Sequence, residues 1–154
     1  ILPNKLYDLM YISGRLEFVK NLEKKIIHFK PFILDAMYAY ILKLEQNRIN
    51  EYINKKEKYI TPLTIEVNNK KYHIGFLFGE NYVSELGNIL SERHSEYDAI
   101  GIINMDYSIS LRTTKDDVDV SILAKGFGGG GHPQASGMGL DKNLILKIIK
   151  EMNK

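Results

Sequence analysis

The sequence predicts an α/β fold: a mixed sheet of four to five strands flanked by helices, preceded by an all-helical N-terminal linker segment. Three observations carry this. Residues 1–60 show apolar residues at helical spacing, with no strand-like alternation and no glycine after Gly14. From Thr61 onward, strand-like pairs are interleaved with amphipathic helical stretches, the order of a small layered domain. The chain has 154 residues, of which 44% are apolar, enough for one sizeable core.

In the first segment, Leu16, Val19, Leu22, Ile26 and Phe29 form one amphipathic stripe. Pro31 then opens a helix, because a proline at the first helical position gives up an N–H that has no partner anyway. Leu34, Tyr38, Ile41, Leu42, Ile49, Tyr52 and Ile53 continue on one face. Both stripes read as packing surfaces. Composition shifts at Thr61-Pro62, after KKEKY, and the domain boundary is placed there: residues 1–60 as a helical linker region, residues 61–154 as the sheet domain.

Within the second segment, TPLTIEV and KKYHIGFLF flank Asn68-Asn69, a pair that tolerates positive φ, and read as a hairpin. Asn81 is expected to cap the helix NYVSELGNILSE, with Val83, Leu86 and Leu90 on one side. YDAIGIINM and YSISLRT are two further strands, turning near Asp106. Asp117 or Asp119 starts a helix that carries Val120, Leu123, Ala124 and Phe127 at i, i+3, i+4 and i+7 and stops at the glycines. After a glycine loop and a short extended piece, Asp141 caps a last helix whose Leu144, Ile145, Ile148, Ile149 and Met152 share a face.

Composition narrows the function. The chain has no cysteine, which removes disulfides, thiolate zinc sites and cysteine nucleophiles and suits a reducing compartment. No run approaches a membrane span and no signal peptide opens the chain, so the cytoplasm is expected and a membrane partner is not. The formal net charge is +2; residues 1–60 carry 11 basic and 7 acidic side chains, and residues 61–154 carry 10 and 12. An anion site in the second segment must therefore be local, which favours a short ligand over a long duplex held by many cations. The chain opens on Ile1 rather than a methionine, and a piece of a longer protein is expected.

KGFGGGGHPQASGMGL, residues 125–140, holds seven of the twelve glycines. Successive glycines let backbone N–H groups converge on an anion with no Cβ in the way, and His132 adds a side-chain donor. A flexible linker is the alternative, but a linker would be rich in serine and open to solvent, and this run is fused to a helix on one side. The loop lacks the Gly-Lys-Ser/Thr of a Walker motif and does not open a helix after a strand as a dinucleotide fingerprint does. Upstream, SLRTT places Arg112 near a strand end with Ser110 beside it, and arginine is the residue suited to gripping a phosphate in bidentate fashion. His28, His73, His94 and His132 are far apart in sequence, and Asp116, Asp117 and Asp119 read as helix caps rather than a metal site.

With SLRTT followed by VDVSILAKGFGGGGHPQASG, the second segment resembles the DHH-associated C-terminal domain of the DHH phosphoesterase superfamily. The resemblance rests on Ser110, Arg112, the Val118-Asp119-Val120 helix start, Gly129, Gly130, Gly131, His132 and the Ala135-Ser136-Gly137 stretch, and its compactness is similar to the oligoribonuclease branch. It implies that this domain binds substrate, with Arg112, the triple glycine and His132 on the phosphate and nucleotide, and Ser110 and Ser136 in the same site. It also implies an N-terminal catalytic domain in the same polypeptide, holding two divalent metals, usually manganese, on paired aspartates and an Asp-His-His motif. This chain contains no Asp-His-His. The implied reaction is hydrolysis of short oligonucleotides, cyclic dinucleotides or nucleoside bisphosphates, with no catalytic residue, metal or other cofactor in this chain and no turnover by it alone. The partner is then a short single-stranded nucleic acid or dinucleotide. The alternative is a self-standing RNA- or DNA-binding module without hydrolytic activity. Oligomeric state does not follow from the residues.

Overall fold

The structure, a computed structural model, describes residues 10–12, 14, 17, 19–20 and 36–153. The helix start expected at Pro31 and most of the stripe before it lie outside these residues. Helix α1 runs from Ala36 to Glu57. It is followed by β1 (Thr61–Val67), β2 (Lys70–Phe78), α2 (Val83–Arg93), β3 (Ala99–Ile103), β4 (Ser108–Arg112), α3 (Val120–Gly126), β5 (Gly130–His132), β6 (Ala135–Gly139) and α4 (Lys142–Met152). Two compact units divide between Asn50 and Glu51, so the last two turns of α1 belong to the unit that contains the sheet. No helix among the described residues is long and apolar enough to cross a membrane.

The sheet is mixed, as expected, and has six strands in the order β1-β2-β3-β4-β6-β5. The four-to-five count falls short because the glycine run itself forms a strand. Gly130–His132 pairs antiparallel with β6, where a loop and one short extended piece were expected. Strands β2 and β3 are parallel, joined through α2, and the other neighbours are antiparallel. Asn68 and Asn69 both adopt positive φ, 52° and 61°, which matches the twist of the β1–β2 hairpin.

The two sheet faces are covered unequally. On one, α3 and α4 close the main core, in which Tyr72, Ile74, Phe76, Ile109, Leu111, Val120, Leu123 and Leu144 are buried. Asp119 caps α3 by accepting from the Ser121 N–H, and Asp141 caps α4 by accepting from the Asn143 and Leu144 N–H groups. Only Leu144 and Ile148 of the α4 stripe are buried; Ile149 and Met152 face solvent. On the other face, α2 lays Leu86 and Leu90 over β3 and β4 and leaves β6 and β5 open.

Helix α2 does not start on an Asn81 cap. Its N-cap is Tyr82, at φ 50° and without a side-chain cap bond. A long-range contact has replaced the local one: the Tyr52 hydroxyl of α1 accepts from the N–H groups of Glu80 and Asn81 and donates to the Glu80 carboxylate. Lys56 pairs with the same carboxylate at 2.7 Å, and these two partners hold the Glu80 carboxyl below the usual range. At the other end of α2, Arg93 binds Asn54 and Glu57.

His94, just past α2, places Nε2 3.0 Å from Glu57 and Nδ1 2.8 Å from Glu96. Partial burial pulls its pKa down, but the hydrogen bonds to Glu96 and Glu57 outweigh that and raise it above the usual 6.5. The folded chain therefore holds this proton more tightly than the unfolded chain. The resulting stabilisation is complete below pH 6.5 and is lost as pH rises through the raised value. Urea midpoints measured from about pH 5.5 to 8.5 are expected to fall with rising pH for the native chain and to fall less for His94→Gln; parallel curves would show that the two carboxylates do not hold the proton.

Candidate functional site

The register of the last three strands assembles the candidate site. Residues directly opposite each other in antiparallel strands project to the same side. Arg112 is paired with Ala135, and Ala135 with His132, so the arginine and the histidine stand in one row across the sheet. Two strand spacings separate their Cα atoms, roughly 10 Å. The next row is Ser110, Gly137 and Gly130, and beyond it Ser108 faces Gly139. All lie on the face that α2 covers only over β3 and β4. Gly137, Gly139 and His132 are exposed there, and the floor between Arg112 and His132 carries no side chain larger than that of Ala135.

Arg112 is positioned over its whole length. Its carbonyl accepts from the Ser91 hydroxyl, itself buried in α2. Its stem crosses α2 at Gly87, where an added Cβ would come within 2.5 Å of the Arg112 Cγ. The guanidinium donates to the Leu111 carbonyl at 3.0 Å and to the Ser84 hydroxyl at 3.4 Å. No carboxylate pairs with it among the described residues. A cation held by neutral acceptors at the edge of an open face is a ready partner for an anion.

His132 is positioned through the backbone. The β5–β6 turn is pinned by bonds from the Thr113 N–H to the Gln134 carbonyl and from the Val120 N–H to the Pro133 carbonyl. Ser136 lies on the opposite, buried face, where its hydroxyl donates to the His132 carbonyl at 2.7 Å. Its place is thus behind the histidine, not beside it.

The glycines separate into two kinds. A Cβ on Gly129 would meet the Gly137 carbonyl oxygen and the Met138 Cα, and one on Gly131 would meet Ala135 O and Ser136 Cα at 2.7 Å. Gly131 also has φ 145°. These two allow β5 to close on β6. Gly130 has open space where its Cβ would be and shares the row of Ser110. The structure therefore brings Ser110, Arg112, Gly130 and His132 onto one face and turns Gly129, Gly131 and Ser136 toward strand packing. Sequence reasoning missed Gly87 and Ser84, whose part depends on how α2 crosses β4, a relation with no local signature.

No group of three or more His, Cys, Asp or Glu that could hold a metal ion occurs among the described residues. These residues do not fit the divalent metals that the resemblance implies for a linked domain.

A family model described as the DHHA1 domain matches residues 69–154. The oligoribonuclease NrnB of Bacillus subtilis is 31% identical over 148 residues, covering 96% of this chain and 36% of that protein. An uncharacterized protein of Acanthamoeba polyphaga mimivirus is 36% identical over 100 residues, covering 60% of this chain and 23% of that protein. The chain thus spans little more than a third of the length of the first of these relatives and less than a quarter of the second. Among solved structures, it is similar to an uncharacterized protein from Helicobacter pylori, with a TM-score of 0.46 and 18% identity over 98% of this chain and 44% of that one.

The two kinds of glycine can be told apart by stability alone. Gly131→Ala is expected to destabilise the fold by about 1–3 kcal/mol from the backbone conformation, before the contact with Ala135 is counted. Gly130→Ala is expected to stay within about 0.5 kcal/mol of the native chain. Thermal or urea denaturation of both variants checks the pair, and equal losses would contradict the assignment.

Proposed function

The chain belongs to the DHHA1 domain family, and from that premise we propose that its open sheet face holds the phosphate and adjoining nucleotide of a short single-stranded nucleic acid or dinucleotide. The observation that carries this reading is the row Arg112, Ala135, His132: a guanidinium without a carboxylate partner among the described residues and an exposed imidazole on either side of a small-residue floor. Arg112 grips two phosphate oxygens, and His132 donates a further hydrogen bond from the far side. Gly130 and Gly137 let the ligand approach the sheet. Ser110 offers a hydroxyl in the same row. Ser136, Gly129 and Gly131 serve the site from behind, by holding β5 on β6 and thereby fixing the histidine.

Hydrolysis belongs to a linked catalytic domain that carries the divalent metals, manganese being the usual choice. Such a domain acts on short oligonucleotides or dinucleotides, and the face described here presents the phosphate to it. This chain contributes binding and orientation, and by itself it does not turn substrate over. Its cysteine-free composition suits the cytoplasm, where we place the activity.

Calorimetric titration with a 5′-phosphorylated dinucleotide at low salt, without metal, tests the reading. Saturable binding is expected, weakened tenfold or more by Arg112→Ala and by His132→Ala, a loss of at least about 1.4 kcal/mol each. Gly130→Ala is expected to keep the fold and weaken binding. Binding that is indifferent to both the Arg112 and the His132 substitution would overturn the assignment of the face.

A further inference from the structure

A second concavity opens on the same face, one step along β4 from the Arg112 row. Its volume is about 470 Å³, within the range of ligand pockets, and Gly79, Val83, Asn104, Met105, Ser108 and Ser110 are among its lining residues. Ser110 and Ser108 lie two and four residues before Arg112 on the same side of β4. At roughly 3.4 Å per residue, the pocket therefore starts about 7 Å from the arginine. That is the step from a phosphate to its own sugar and base.

The chemistry of the pocket differs from that of the Arg112 row. Glu80 and Asp106 also line it, and carboxylates repel a phosphate. The Ser108 hydroxyl donates to the Asp106 carboxylate at 2.6 Å, so the serine oxygen can only accept from Asn104. This fixes the Asn104 amide with Nδ2 donating to Ser108 and Ser110, at 2.9 and 3.0 Å. The opposite atom, Asn104 Oδ1, is shielded from bulk water and has no partner among the described residues. The floor of the pocket is thus ordered by its own hydrogen bonds, and the Asp106 and Glu80 carboxylates that line it are the acceptors open to an N–H or O–H group entering from solvent. Met105 stands 75% exposed at the rim and Val83 on the wall, giving an apolar surface for a flat ring.

From these observations, and resting on the phosphate reading above, we propose that this pocket receives the nucleoside of the nucleotide whose phosphate sits on the Arg112–His132 row, with the Asp106 and Glu80 carboxylates accepting from its sugar hydroxyls or base N–H edge. A neutral, donor-rich, ring-bearing group fits each wall, and a second phosphate fits none of them.

Amide and side-chain NMR spectra of the native chain, titrated with adenosine 5′-monophosphate and separately with inorganic phosphate, decide the matter without any variant. The nucleotide is expected to shift Gly130, His132 and the Arg112 side chain together with Gly79, Val83, Asn104 and Met105, and to bind at least tenfold more tightly than phosphate. Phosphate is expected to shift only the first group. A nucleotide that shifts the first group and leaves the second unmoved would overturn the nucleoside pocket while the phosphate face stands. A nucleotide that shifts neither group would overturn the phosphate face, and this inference with it.

Discussion

The register of β6 between β4 and β5 is the constraint on which the rest of the site depends. Side chains alternate along a strand, so a slip of one residue would carry His132 to the buried face and bring Gly131 to the open one. Both ends of the pairing are locked. At one end the Thr113 and Val120 N–H groups bind the carbonyls of Gln134 and Pro133, and at the other the Leu140 N–H binds the Tyr107 carbonyl. The Ser136 hydroxyl adds a lock within the turn. The helix α3 that follows Arg112 in the chain thus helps to fix the candidate site: its first residue ties down the turn that carries the histidine.

A second dependence runs through α2. Its inner side is interrupted at Gly87 so that the arginine stem can pass, and Ser84 and Ser91 supply neutral acceptor and donor groups to the same residue. A carboxylate in place of Ser84 would give the guanidinium an internal counter-ion and weaken its hold on any external anion. The neutrality of these contacts is what keeps the cation available.

Much of this was legible in the residues. The Asn68-Asn69 hairpin and the caps at Asp119 and Asp141 follow from local chemistry, because each depends on a turn or a helix start that reads the same in any fold, and the mixed sheet follows from the interleaving of helices with strand pairs. The conjunction of Ser110, Arg112, Gly130 and His132 was legible as a motif. Their distribution over two faces was not, since it is set by pairing between strands distant in sequence. The glycine run reads as a loop because glycine is rare in strands, yet its end forms β5, where crowding against β6 requires glycine. Asn81 failed as a cap for a similar reason, displaced by a hydroxyl 29 residues away in the chain. Asn104 carries no signal in isolation and gains meaning only once Ser108 and Ser110 are folded across from it.

The brevity of β5 has one more consequence. As an outer strand it exposes unpaired backbone groups that could recruit a strand from another molecule, but with three residues it is too short to template one. The opposite edge, β1, is seven residues long and answers the same hazard by other means, with Pro62 lacking an N–H and Glu66 bearing an outward charge. A sheet with one open face is thereby bounded by edges that discourage a further strand, one through its brevity and the other through proline and charge.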